Sequence, residues 1–168
     1  ENIGEENVAY KYPALKRMAD DVQTFPAVIA RIDSVLNKYG KVKDTASPEL
    51  ARLRRELEQT MRGLSGMLRS IVSQAQKDGY IDRDVSPTMR DGRLVIPVAP
   101  SAKRKIKGIV HDESATGRTV FIEPASVVDA NNRVRELTAE EHREVIRILR
   151  ELSDFIRPML PDIQHSFV

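Results

Sequence analysis

The feature that most constrains this chain is a long run of regularly spaced apolar residues between Glu49 and Lys77. Steps of three and four residues place these side chains on one narrow face of a helix, as in a coiled coil. They are Leu50, Leu53, Leu57, Met61, Leu64, Leu68, Ile71, Val72 and Ala75. At ~1.5 Å per residue this helix is a rod of about 43 Å. Ser47 and Pro48 suit its start, because a serine hydroxyl caps free N–H groups and proline fits the first helical position.

A second long helix is predicted after Pro124, where apolar residues again recur at helical spacing until Pro158. Its apolar face carries Val127, Val128, Val134, Leu137, Val145, Ile148, Leu149, Leu152 and Ile156. Two shorter helices are predicted before the first rod, at residues 9–25 and 27–37, from the same kind of pattern.

The stretch between the two rods has the pattern of a small β module. Asp91-Gly92 is a hairpin signal, because both central positions of a type I′ turn need positive φ. It joins strands predicted at 88–90 and 93–98. Pro97 predicts a free edge or a bulge there, because proline cannot donate a ladder hydrogen bond.

A second strand pair is predicted at residues 108–111 and 118–122. The connection between them is predicted to be a turn in which Asp112 and Ser114 bond backbone N–H groups.

Together these elements predict an α+β fold. It has two long antiparallel helices (the lever), a small antiparallel β clamp inserted at their tip, and two short N-terminal helices. The predicted segments are 1–47 (N-terminal helices and connector), 48–78 (first lever helix), 79–123 (clamp), 124–157 (return lever helix) and 158–168 (tail). Leu57 and Leu64 are expected to face Val145 and Ile148 across the lever.

Composition and motifs exclude several classes of function. There is no Cys, which rules out disulfides and cysteine-based zinc sites. No apolar run approaches the ~20 residues of a membrane span, and no signal peptide opens the chain, so we expect a cytoplasmic location without a membrane partner. No GxxxxGK[ST] phosphate loop occurs.

Histidine chemistry is not expected either. His111, His142 and His165 lack metal-ligand spacing. His111, Asp112 and Ser114 are too close along one strand to form a nucleophile–base relay. We therefore expect no catalytic residue, no metal site and no cofactor in this chain.

Charge is concentrated in the β module. The whole chain has a net charge of +2, yet seven basic residues stand against three acidic ones between Arg90 and Arg118. Lysine and arginine neutralise phosphates without reading sequence, so they are candidates for nucleic-acid binding. These candidates are Arg90, Arg93, Lys103, Arg104, Lys105, Lys107 and Arg118. The alternative is a solvated loop whose lysines protect a sheet edge.

Several motifs resemble those of a known family, the bacterial MutS-like proteins of the second type. Residues 89–98, MRDGRLVIPV, are similar to the family segment IRNGRYVIPVK. Residues 108–124, GIVHDESATGRTVFIEP, are similar to its GIVHDxSxSGxTxFIEP signature. Val127, Val128, Asn131 and Asn132 match the VVxxNN that follows, and residues 46–54 resemble the start of the family's lever helix. These proteins are paralogues of the mismatch-repair MutS and carry a C-terminal Smr nuclease domain.

The resemblance implies a lever-and-clamp segment of a longer protein. An ABC-type ATPase domain, which uses ATP and Mg²⁺, and the nuclease domain would both lie outside this chain. The parent would be a homodimer whose levers enclose branched DNA, to suppress recombination, or collided ribosomes, to rescue them. The motif residues would then have structural roles: His111, Asp112, Ser114, Gly117, Glu123, Pro124, Asn131 and Asn132.

Two alternatives stay open at this point. The chain is either the part of such a protein that grips nucleic acid or a scaffold or dimerisation arm that touches only protein. Asn131, on the apolar stripe, either fixes helix register as a buried polar residue or holds the clamp at a set angle on the lever.

Overall fold

The structure, a computed structural model, describes residues 25–166 and is α+β, which confirms the predicted fold class. The helices are α1 (Pro26–Val35), α2 (Pro48–Lys77), α3 (Val128–Ile156) and the short α4 (Leu160–His165). The strands are β1 (Thr88–Arg90), β2 (Arg93–Val98), β3 (Gly108–Glu113) and β4 (Val120–Pro124). Short 3-10 turns lie at Asp44–Ala46, Pro100–Ala102, Ala125–Val127 and Arg157–Met159.

The helix ends follow local sequence. The Ser47 Oγ accepts the Leu50 N–H at 2.9 Å, which caps α2 as its sequence predicts. The helix predicted at 9–25 lies outside the described residues except for Phe25, which precedes α1. The C-terminal tail differs from the expectation: α3 ends at Ile156, but a 3-10 turn and α4 follow it. Pro161 is tolerated there because it lies in the first turn of α4.

The four strands form one antiparallel sheet in the order β1-β2-β4-β3. The β1–β2 hairpin turns at Asp91 and Gly92, whose φ angles of 48° and 74° are those that a type I′ turn needs. Beyond Val95, which pairs with Thr88, β1 has no residue opposite β2. Pro97 therefore pairs only with Phe121 on β4, which confirms the predicted free edge at that proline.

The described residues divide into two compact units. One holds residues 47–144, and the other holds 25–46 together with 145–166. The buried apolar residues of the second unit are Val28, Val35, Val42, Ile148 and Leu152. The basic residues of the β module and Glu123 belong to the first unit.

In the 47–144 unit, the second half of α2 packs on one face of the sheet. The buried cluster joins α2 residues to alternate residues of the two central strands: Leu64, Leu68, Val72, Ala75, Ile96, Val98, Val120 and Ile122. Val127 and Val134 complete the cluster from the start of α3. Each leucine, isoleucine or valine of this cluster contributes about 1.5–3 kcal/mol when fully buried, so the cluster fixes the sheet on α2.

Polar contacts show that α2 and the first part of α3 run antiparallel. The buried Ser47 hydroxyl donates to Glu144 at 2.6 Å, and Arg54 pairs with Glu141 at 2.9 Å. Further along α2, Glu56 pairs with Arg133.

This register corrects one sequence expectation. Leu64 clusters with Val127 and Val134, and Leu57 packs against the same cluster, which includes neither Val145 nor Ile148. An apolar stripe repeats every three or four residues and therefore does not specify which turns of two helices meet. Among residues 25–166, no helix combines the length and the apolar character that crossing a bilayer requires.

Candidate nucleic-acid interface

Glu123 on β4 is the centre of a buried polar network. Its carboxylate is 0% exposed. Arg93 on β2 donates to both of its oxygens, from Nη2 to Oε1 at 2.7 Å and from Nε to Oε2 at 2.8 Å. Asn131 donates to Oε1 at 2.8 Å, and His111 Nε2 donates to Oε2. Because side chains alternate along a strand, the network lies on the sheet face opposite the one that packs on α2.

The contacts decide the charge of Glu123. Burial alone raises the pKa of a carboxyl group, because it penalises the charged form. Here the hydrogen bonds from Arg93, His111 and Asn131 outweigh that penalty and hold the pKa of Glu123 below its ordinary value. The group is therefore an ionised acceptor whose four contacts are all made within the protein.

Arg93 does not lie with the other predicted phosphate ligands. It is 8% exposed, and its Nη2 also donates to Asn132 Oδ1 at 2.9 Å. Its bidentate pairing with a buried carboxylate is the geometry in which arginine binds most strongly. In this structure the Arg93 guanidinium is bound by Glu123 and Asn132 within the buried network.

Asn131 completes the sheet where Pro124 interrupts it. The β2–β4 register, Ile96 opposite Ile122, places Leu94 opposite Pro124, which has no N–H to donate. Asn131 takes over both bonds: its Nδ2 donates to the Leu94 carbonyl at 3.0 Å and its Oδ1 accepts the Leu94 N–H at 2.9 Å. The start of α3 is thereby fixed to β2, which favours the angle-holding role over a helix-register role.

The edge strand β3 is shaped by two motif residues. Val110 pairs with Ile122 and Asp112 with Phe121, so His111 is the extra residue of a bulge. A bulge redirects side chains locally, and here the imidazole reaches Glu123. Gly108 brings the start of β3 very close to β4: a Cβ there would lie 2.1 Å from the Glu123 carbonyl oxygen.

The β3–β4 turn is built by side-chain caps. Asp112 Oδ1 accepts the Glu113 N–H at 2.8 Å, and Ser114 Oγ accepts the Thr119 N–H at 3.0 Å. Gly117 has a φ of 65°, which favours glycine. Strand β3 is longer than its sequence pattern predicts and ends at Glu113, so Arg118 lies in the turn.

The basic loop before β3 is exposed. We use this name for residues 103–107, of which Lys103, Arg104, Lys105 and Lys107 are the basic members; all four are exposed. Within residues 25–166, the side chains of Arg104, Lys107 and Arg118 meet no ion-pair partner. Lys103 lies 3.8 Å from Glu113, and its side chain is 46% exposed.

These cations flank β3 at its two ends, whereas the strand itself carries Asp112 and Glu113. Lys107 precedes the first residue of β3, whereas Lys103 reaches Glu113 at its last residue and Arg118 lies in the turn beyond. A strand of this length spans about 20 Å at ~3.3 Å per residue. That length equals about six steps of duplex at ~3.4 Å each, so the arrangement can meet several phosphates at once.

Arg90 is exposed on β1, and its guanidinium contacts an aromatic ring. Its guanidinium lies 4.1 Å from the centre of the Phe121 ring, within cation–π distance. It therefore stands on the network face of the sheet and apart from the basic loop.

A cleft beside the basic loop was not predicted from the sequence. It has a volume of about 440 Å³ and lies between the last two turns of α2, the basic loop, and the segment where β4 ends and the 3-10 turn Ala125–Val127 begins. Its lining includes Ile71, Gln74, Asp78, Tyr80, Lys105 and Lys107. The sequence signal that helps to find it is Gly79, whose φ of 74° turns the chain back after α2.

Comparison with known proteins gives the family. The chain is 41% identical to Endonuclease MutS2 of Finegoldia magna over 152 residues, which covers 90% of this chain and 19% of the relative. It is 40% identical over 157 residues to that of Thermomicrobium roseum, covering 92% and 19%, and 43% identical over 127 residues to that of Gemmatimonas aurantiaca, covering 76% and 15%. The chain belongs to the MutS2 family. No family model matches its sequence.

Membership of the MutS2 family confirms the resemblance carried by the β-module motifs. The chain spans about a fifth of the length of the curated relatives it matches. Their name assigns endonuclease activity to proteins about five times as long. Among residues 25–166, no group of three or more His, Cys, Asp or Glu side chains is placed to hold a metal ion.

Proposed function

We propose that this chain is a non-catalytic lever-and-clamp segment of a MutS2 protein and that it grips the phosphate backbone of nucleic acid. The observation that carries the proposal is the set of exposed cations that flanks β3, with the basic loop before the strand and Arg118 after it. Phosphate contacts of this kind give affinity without sequence preference. The target is branched DNA or a collided ribosome, both of which offer such a backbone.

The network supports this function indirectly. It fixes β2, β3 and β4 to the start of α3, so that a load on the basic loop is passed to a long helix. We propose that helices α2 and α3 act as the lever between the clamp and the ATPase of the whole protein. Because no phosphate-binding loop occurs in this sequence, we assign ATP and Mg²⁺ to other parts of a homodimeric parent.

The experiment that tests the grip is a salt titration of the chain with labelled junction DNA and, separately, with a ribosomal RNA fragment. Binding of a single segment is expected to be weak, with a Kd of ~10⁻⁴–10⁻⁶ M at physiological salt. Replacing Lys103, Arg104, Lys105 and Lys107 with Ala is expected to weaken binding to both. The slope of log K against log salt is expected to fall by up to about 3–4 units.

The matched control replaces four exposed arginines outside the loop, Arg52, Arg55, Arg62 and Arg69, with Ala. Unchanged affinity and slope in the loop variant would overturn the proposal. If only the α2 control lost affinity, the contact would lie on the lever. If the unaltered chain bound neither the junction DNA nor the RNA fragment, the segment would be a protein-only scaffold or dimerisation arm.

A further inference from the structure

We infer that the cleft beside the basic loop binds one unpaired nucleotide, with its base against Tyr80 and its phosphate on Lys105 and Lys107. This inference rests on the proposed function, because it names the form of nucleic acid that the same surface prefers. The cleft volume of about 440 Å³ lies within the range of small-ligand sites and is large enough for a single nucleotide.

Tyr80 is held in place by the end of α2. The Tyr80 N–H bonds the Ala75 carbonyl at 2.8 Å and the Gly79 N–H bonds that of Gln76 at 3.2 Å, which is the Schellman arrangement. Gln76 Nε2 then donates to the Asp82 carbonyl at 3.0 Å and so ties down the following loop. The aromatic ring is thus pre-positioned, while its side chain remains accessible at 37% exposure of the residue.

The surroundings of Tyr80 suit a nucleobase. Ile71 and Ile106 add apolar lining to the cleft, and aromatic rings flanked by apolar groups are the usual platforms for unstacked bases. Lys105 Nζ lies 5.3 Å from the centre of the Tyr80 ring. The ammonium group therefore lies over one face of the ring, and a base that stacks on that face displaces it toward the phosphate of the same nucleotide.

The polarity of the cleft distinguishes a nucleotide from a simple anion. Lys105 and Lys107 line the cleft, and Asp78, the residue directly after α2, brings a carboxylate to it. Gln74 Nε2 donates to both Asp78 oxygens, at 3.1 and 3.2 Å, and this fixes the carboxylate on the helix surface. A carboxylate repels free phosphate but accepts the exocyclic amino group of a base, so the cleft offers one partner for the phosphate and another for the base of a nucleotide.

Fully paired duplex cannot enter this cleft, because its bases are stacked inside the helix. A bulged, looped or branch-point nucleotide can enter it, since its base is already free. The basic loop therefore grips any backbone, and the cleft adds a preference for places where pairing is interrupted.

The test compares a paired DNA duplex with the same duplex carrying one bulged 2-aminopurine, using the whole 168-residue chain. Affinity is measured by anisotropy of an end label, and stacking by the 2-aminopurine emission. A second arm uses the corresponding RNA duplexes and decides which sugar the cleft accepts. We expect the bulged form of at least one of them to bind about fivefold or more tightly than its paired form, with quenched emission.

Variants of Tyr80 show whether its ring causes the preference for bulged over paired nucleic acid. Tyr80→Leu is expected to bring the ratio of paired to bulged Kd close to one, and Tyr80→Phe to keep it, because the ring is retained. Tyr39→Leu is the matched control, since Tyr39 is 75% exposed and lies outside the cleft. Equal affinity of the unaltered chain for bulged and paired forms in both arms overturns the inference and leaves the proposed grip standing. Absence of binding to every form overturns both.

Discussion

Arg93 and Arg104 belong to the same small β module, and the structure gives them opposite surroundings. Arg93 is 8% exposed and is bound by Glu123 and Asn132. Arg104 is exposed in the basic loop and meets no ion-pair partner among residues 25–166. A buried charge is tolerated only when its contacts are satisfied, whereas an exposed one keeps its hydration and remains available to a ligand. One cation therefore holds the module together and the other is free to bind.

The largest effect is expected from breaking the buried pair. Glu123→Gln leaves the Arg93 guanidinium buried without its counter-charge, which costs about 3–5 kcal/mol of the free energy of unfolding. Urea denaturation followed by circular dichroism measures it. Glu113→Gln, at a carboxylate whose side chain is 57% exposed, is the control and is expected to change this free energy by less than about 0.5 kcal/mol. Equal costs for the two variants would mean that the network contributes no more than a surface pair.

Acid is expected to weaken the same network, because a protonated Glu123, like a glutamine, no longer supplies a counter-charge to Arg93. The pKa of Glu123 is lower in the folded protein than in the unfolded chain. Its contribution to stability is therefore present above the ordinary glutamate pKa of about 4.3 and is lost as pH falls through the lower folded-state pKa.

Urea midpoints measured from pH 6 to pH 2 (a range on the order of four units around the glutamate pKa) would show this loss. Glu49 and Glu56, whose pKa values are also lowered by arginine partners, titrate in the same region. The informative quantity is the difference in urea midpoint between the native chain and Glu123→Gln at each pH. A difference that stays constant across the acid range would contradict the expected protonation of Glu123.

A smaller effect is expected at Gly108, where the basic loop enters the sheet. Gly108→Ala places a Cβ against the β4 backbone, 2.1 Å from the Glu123 carbonyl oxygen, and is expected to cost about 1–3 kcal/mol. Gly66→Ala is the control in thermal unfolding. A Cβ at this helical position meets no atom within 4 Å, so it is expected to stabilise the chain by about 0.5–1 kcal/mol. Unchanged stability in Gly108→Ala would show that β3 is free to move away from β4.

The smallest effect on stability is expected from Arg104→Ala, within about 0.5 kcal/mol, because the side chain is exposed. The substitution is expected to change binding instead: the slope of log K against log salt for duplex DNA is expected to fall by about 0.9. Arg62→Ala removes an arginine of α2 that is 76% exposed in its side chain and is expected to leave the slope unchanged. A slope that falls only in Arg62→Ala would place the phosphate contact on the helix.

Much of the fold could be predicted because its signals are local. The Ser47 cap, the turn at Asp91 and Gly92, and the bounds of β1 and β2 each depend on a few neighbouring residues. The pairing of α2 with α3 could not be predicted in register, because one helical turn of an apolar stripe looks like the next.

The site was less predictable because burial depends on distant residues. Arg93 was grouped with the phosphate ligands by its charge, yet its partner Glu123 lies 30 residues further along the chain. Tyr80 gave no signal of its own, since its position depends on the helix end and on a loop that lies beside it only in the folded chain. Asn131 was correctly noted as an unusual residue on an apolar stripe, and its bonds to Leu94 explain it.

The replacement of a ladder bond by the Asn131 amide restricts how this segment can change length. One residue inserted or deleted between Pro124 and Asn131 rotates every later position of α3 by about 100° around the helix axis. The amide would then turn away from Leu94, and β2 would lose both hydrogen bonds. A length change at residues 114–118 disturbs only the local bonds of that exposed turn, such as the Ser114 cap on Thr119, and leaves the contacts between α3 and the sheet in place. Length variation among relatives, and insertions made by engineering, should therefore be better tolerated there than between Pro124 and Asn131.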